Sequence, residues 1–183
     1  MLLQAIGLVE LISIARGIVV ADAMLKAADV DLIEAKCICP GKFIVMVCGE
    51  ISAVQSSVDV GRNIGADAVA DDFILANVHP AVIRAAASAS EVVEIGALGS
   101  IETFSVATLL VAADTAVKAA NVELIEIRMG MGIGGKSFVT LTGDVSSVKA
   151  AVEAGASGAK DKGMLVEQIV IPSLHPQLKR LFS

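Results

Sequence analysis

The same sequence is written twice in this 183-residue chain. Ala5 to Lys36 aligns on Ala97 to Arg128 without a gap, position 5 falling on 97, and about half of the aligned residues are identical. Gly7 meets Gly99, Glu10 meets Glu102, Ser13 meets Ser105, Asp22 meets Asp114 and Lys26 meets Lys118. Further on, two short insertions shift the frame, so that Lys42 meets Lys136, Gly49 meets Gly143, Gly61 meets Gly155 and His79-Pro80 meets His175-Pro176. A unit of about 88 residues is too long for a solenoid repeat and fits a tandem pair of small domains. The expected boundaries are residues 1–88 and 95–183. The joint lies in AAASASEVVE, Ala85 to Glu94, a small, weakly patterned stretch.

One unit can be read by its periodicities. Gln4 to Leu11 alternates as a strand does. Ser13 is a candidate N-cap, and Ile14 to Ala28 reads as a helix with Ile14, Ile18, Ala21 and Leu25 along one face. Val30 to Cys39 is a strand, Pro40-Gly41 a turn, and Lys42 to Gly49 a second strand. Ser52 to Ile64 is a helix with Val54 and Val58 inward, Ala70 to Asn77 is a strand, and a short helix follows His79-Pro80. The order βαββαβ predicts an α+β fold: two tandem ferredoxin-like-sized units, each an antiparallel sheet with helices on one face.

Composition narrows the function. Apolar residues make up 55% of the chain and mean hydropathy is +0.77, yet the longest stretches free of Asp, Glu, Lys and Arg run only from Thr103 to Ala113, Phe73 to Ile83 and Gln168 to Leu178. A spanning helix needs about 20 apolar residues, so no membrane partner is expected. Aromatics are 3%, with no Trp or Tyr. A core without large rings must pack small aliphatics closely or bury them against other subunits, and the second option is favoured because so apolar a surface would aggregate on a monomer. The net charge of −6 and the lack of basic runs exclude nucleic acid as an expected partner. MLLQAIGLVE lacks the basic start and cleavage site of a signal peptide, and three cysteines between positions 37 and 48 do not make a disulfide framework, so a reducing cytoplasm is expected.

Neither unit carries a convincing catalytic set, and an enzyme is not expected. His79 and His175 lie before prolines with no paired acid and read as helix-start residues or subunit contacts. Gly130 to Ser137 fits the letters GxxxxGKS of a nucleotide-binding loop, but Ser137 to Thr142 reads as a strand, and such a loop must open a helix. It reads better as a glycine loop where several backbones come close, as at a symmetry axis. CICPGK, Cys37 to Lys42, holds the equivalent place in the first unit. Cys48 reads as a buried small hydrophobe. One chain has too few thiolates for a strong zinc or iron–sulfur motif, whereas threefold assembly would bring three Cys39 thiolates to one axis.

The motifs AxGxxExxSxA, DAMLKAA, LIE, a glycine turn ending in GK, VKAAVEAG at Val148 to Gly155, and IPSLHP resemble the bacterial microcompartment shell domain, twice over nearly the whole chain. ICPGKF, Ile38 to Phe43, is similar to the iron–sulfur-binding tandem shell proteins of propanediol-utilisation compartments. This resemblance implies a homotrimer that tiles as a pseudo-hexamer with other shell proteins around enzymes, located in a microcompartment in the cytoplasm. It implies a [4Fe–4S] cluster held at the central axis by one Cys39 per chain, for electron transfer or redox sensing across the shell. It implies a pore lined by Pro40, Gly41, Gly132, Ile133, Gly134 and Gly135, and tile edges carrying Lys26 and Lys118. Two features depart from the family. Cys37 is an extra thiol, and the arginine of the family's IPRPH stretch is absent at both Asn77-Val78-His79 and Ser173-Leu174-His175. The alternative is a shell tile with an open metabolite pore and no cluster.

Overall fold

The computed structural model describes residues 4–92, 94–130 and 134–180. Its elements run β1 (Gln4–Leu11), α1 (Ile14–Ala27), β2 (Asp31–Ile38), β3 (Lys42–Glu50), α2 (Ile51–Gly65), β4 (Val69–Ala76) and α3 (Pro80–Ala86). The series then repeats as β5 (Ala97–Thr103), α4 (Val106–Ala119), β6 (Glu123–Met129), β7 (Ser137–Gly143), α5 (Val145–Asp161), β8 (Leu165–Ile171) and α6 (Pro176–Lys179). The chain divides into two compact units, the first running up to Ile83 and the second made of Arg84–Gly130 together with the residues from Gly135 on.

Each unit holds one four-stranded sheet, β2-β3-β1-β4 in the first and β6-β7-β5-β8 in the second. Every neighbouring pair is antiparallel. Two split βαβ units give this order, and the α+β reading holds in both copies.

In the first unit α1 and α2 pack on each other and on one face of the sheet. Gly7 makes that closeness possible, since a Cβ there would stand 2.5 Å from Val58 Cγ2 and 2.7 Å from Val54 Cγ1. Gly99 does the same against Val152 and Val148. The core beneath the helices gathers Val9, Leu11, Val20, Met24, Phe43, Val45, Val47, Val54 and Val58. On the other face Ile6, Leu8, Ile44, Met46 and Cys48 are buried too, so β1 and β3 read as nearly continuous apolar runs.

The expected inward face of α1 is corrected. Its buried residues are Gly17, Val20 and Met24, whereas Ile14 is 42% and Ile18 60% exposed. The cause is Phe43, whose ring lies so close to Gly17 that a Cβ there would be 2.4 Å from Cδ1. A glycine carries no hydropathy signal, so the contact line ran through a position that the apolar pattern overlooked.

The second unit solves the same packing with exchanged sizes. Leu109 takes the place of Gly17, and Ser137 that of Phe43. Both are fully buried. The caps repeat as well: Ser13 accepts from the Arg16 amide and Ser105 from the Thr108 amide, each at 3.3 Å. Such caps satisfy donors that the first helical turn leaves free.

Candidate functional site

The site expected from the sequence lies on the β2–β3 hairpin. Ile38 and Lys42 are register partners, and the Gly41 amide donates to the Ile38 carbonyl at 3.0 Å, closing the turn through Cys39 and Pro40. Gly41 has φ +84°, a backbone that favours glycine, and a Cβ there would meet nothing within 4 Å. Cys39 is half-buried, Cys37 exposed and Cys48 buried, and all three thiols are free. Burial first, then the carboxylate of Asp31, pushes the Cys48 thiol up, so it stays protonated and serves as a core residue.

The second unit carries a glycine loop at the matching place. The Gly130 amide donates to the Lys136 carbonyl at 3.1 Å, and Gly130, Gly134 and Gly135 all have positive φ. Gly132 and Ile133 lie outside the described residues. Ser137 opens β7, a strand, so no helix N-terminus follows this loop to meet a phosphate.

Both loop ends are pinned by an ion pair whose partners the repeat had matched without pairing them. Lys42 Nζ lies 2.5 Å from Glu10 of β1, and Lys136 Nζ lies 2.6 Å from Glu102 of β5. Beside them stand Lys36 with Glu34 at 2.9 Å and Arg128 with Glu126 at 2.9 Å. The Arg128 guanidinium also lies over the Phe138 ring, 5.9 Å from its centre. Their signal in the sequence was the recurrence of Glu10 and Lys42 as Glu102 and Lys136.

The histidines start helices. His79 Nδ1 accepts from the Ala81 amide at 3.2 Å, and His175 Nδ1 accepts from the Gln177 amide at 3.3 Å. Lys26 and Lys118 sit in the last turns of α1 and α4, bonded to Asp22 at 2.6 Å and Asp114 at 2.5 Å. Among the described residues, no three His, Cys, Asp or Glu side chains gather as a metal site within one chain. No described helix is long and apolar enough to cross a membrane. A groove of about 380 Å³ between α4 and α5 has walls of small side chains, among them Ala154, Ser157 and Gly158.

One asymmetry was not visible in the repeat. Val106 and Leu110 of α4, the counterparts of exposed Ile14 and Ile18, are 2% and 0% exposed. Two copies of one domain thus differ in the covering of the same helix face.

The BMC domain model matches this chain at residues 5–79 and again at 97–174. The chain is 45% identical over 177 residues to the bacterial microcompartment shell protein PduT of Citrobacter freundii, covering 97% of this chain and 96% of that protein. It is 43% identical over 86 residues to the shell protein EutM of Salmonella typhimurium, covering 47% of this chain and 88% of that one. The crystal structure of a microcompartments protein from Desulfitobacterium hafniense DCB superposes with a TM-score of 0.95 at 63% identity, covering 97% of this chain and 98% of that one. The fused permuted hexameric shell protein MSM0275 superposes at TM-score 0.60 and 24% identity, covering 83% of each chain, a likeness of fold alone.

Proposed function

Because this chain belongs to the bacterial microcompartment shell protein family, with two BMC domains in tandem, we propose that it is a homotrimeric tile in which Cys39 of three chains holds one [4Fe–4S] cluster. Its place is the shell of a bacterial microcompartment, beside other shell proteins.

The assembly reading rests on the unequal covering of α1 and α4. The outer face of α4 is covered, whereas the equivalent face of α1 exposes Ile14 and Ile18. Covering the exposed parts of these two side chains would add a share of the roughly 1.5–3 kcal/mol that full burial of each is worth. A second copy of the chain supplies what α1 lacks, and a head-to-tail contact of this kind closes into a ring when its rotation allows.

The cluster reading rests on the hairpin tip. Cys39 is a half-exposed soft donor on a tight turn, with open space beside Gly41. Iron–sulfur clusters are held by cysteine thiolates. One chain offers a single thiol at this tip, so the residues fit the group only when three chains share it. Bound there, the cluster would supply one-electron transfer through the tile.

Anaerobic purification tests this. The expected protein is brown, with iron and sulfide in equal amounts, about four of each per three chains, and Cys39→Ser removes both. A colourless, iron-free protein after anaerobic reconstitution overturns the cluster and leaves a tile with an open metabolite pore. A monomer by light scattering overturns the tile.

A further inference from the structure

Each large apolar side chain on the surface can be set beside its counterpart in the other unit. Ile12 and Phe104, Val19 and Val111, and Ile51 and Val145 are exposed in both copies. A second set is exposed in one copy and covered in the other, and it forms two patches. The first patch lies on the first unit. Ile14 and Ile18 of α1 are bare, and so is Leu32 of β2, at 46%, whereas its counterpart Leu124 is 3% exposed. Leu32 stands opposite Val47, a residue of the core beneath the helices, so it points to the side of the sheet where α1 packs beside β2. The second patch lies on the second unit. Leu178 of α6 is 46% exposed, whereas its counterpart Val82 of α3 is fully buried. Ile169 of β8 is exposed, and its counterpart Phe73 of β4 is half-buried. Within each sheet β2 and β4, or β6 and β8, are the two outer strands. The two patches therefore belong to opposite edges of the repeated domain.

We propose that these two patches are each other's partners: the α1–β2 edge of one copy, with Ile14, Ile18 and Leu32, docks on the β8–α6 edge of a second copy, with Ile169 and Leu178. The inference rests on the homotrimer reading above, for which it names the partner surface. A duplicated domain carries each edge twice. One copy of each edge is covered and one is bare, so both are surfaces that this fold is built to bury. Each chain is left with one bare edge of each kind. Two unlike faces at opposite edges make a head-to-tail contact, in which every copy engages two neighbours and the series ends only by closing into a ring. A patch that paired with its own kind would stop at a dimer.

The test mixes two full-length variants and reads their mass by light scattering. Ile18→Glu spoils the first patch and leaves the second sound, and Leu178→Glu does the reverse. Wild type should weigh three chains, and each variant alone one chain. An equal mixture of the two should weigh two chains, because one sound patch of each kind meets its partner while the remaining two are spoiled. Ile51→Glu, at a place exposed in both copies, should keep the wild-type mass. Circular dichroism checks each variant's fold, and if Leu178→Glu unfolds, Ile169→Glu replaces it with the same masses expected. A folded Ile18→Glu or Leu178→Glu that keeps the wild-type mass overturns the pairing, and so does a mixture that stays monomeric. With a trimeric wild type, those results overturn this inference alone. A monomeric wild type overturns the tile reading itself, and this inference with it.

Discussion

Replacing Gly17 by leucine and Phe43 by serine should each damage the first domain, and making both changes together should repair it. The second domain already contains that combination as Leu109 and Ser137, both fully buried. In Gly17→Leu the first added carbon alone would stand 2.4 Å from Phe43 Cδ1 and 2.6 Å from Cγ. Overpacking of this kind costs about 1–3 kcal/mol, and a rigid ring places it at the upper end. The gain in helix propensity returns about 1 kcal/mol. Phe43→Ser empties a ring-sized space, costing about 3–5 kcal/mol. It also leaves a hydroxyl without a partner, a further ~1–3 kcal/mol. In the double variant the leucine enters the space the ring left, so only the hydroxyl cost remains, offset by the helix gain. We expect it within about 2 kcal/mol of wild type, a coupling at or above the top of the usual ~0.5–3 kcal/mol range. The chain has no Trp or Tyr, so urea unfolding is best followed by far-ultraviolet circular dichroism, at one fixed protein concentration because assembly adds to apparent stability. A double variant as unstable as the sum of the single ones refutes the packing equivalence of the two domains.

Ile18→Glu should leave the circular dichroism spectrum intact and shift the light-scattering mass towards the monomer, whereas Leu110→Glu should cost at least about 3 kcal/mol in urea unfolding, because a charge enters a covered site without a partner. Asp144 caps α5, and the hydroxyl of Ser146, then the amide and hydroxyl of Ser147, hold its carboxyl well below the usual carboxylate range. A depressed native value means stability that is present at neutral pH and lost as pH falls below about 4 towards the native value. Acid titrations of wild type and Asp144→Ala should therefore converge at low pH, and a constant gap refutes the assignment. Iodoacetamide on the folded protein near pH 8 should label Cys37 and spare Cys48 until denaturant is added, read by mass spectrometry. Labelling of Cys48 in the native state contradicts its burial.

Much of the fold was legible because the chain states it twice. Ser13 and Ser105 announce their caps, the alternation of Gln4 to Leu11 its strand, and Pro40-Gly41 its turn. The inward face of α1 was not legible. Gly17 has no side chain to register in an apolar pattern, and its role exists only because Phe43, distant in sequence, lies against it. The pairing of Lys42 with Glu10 was hidden for a related reason: the two residues are 32 positions apart and become neighbours only when β1 and β3 pair.

The amino-acid order by itself determined the duplication, the α+β class and the candidate thiol at Cys39, since periodicity, caps and turns are local properties of neighbouring residues. Tertiary structure alone decided which copy of a repeated surface is covered. Ile18 and Leu110 occupy the same place in two helices of the same length and position in the repeat, yet one is 60% exposed and the other fully buried. Burial is a property of what lies against a side chain, and no repeat of the sequence can carry it.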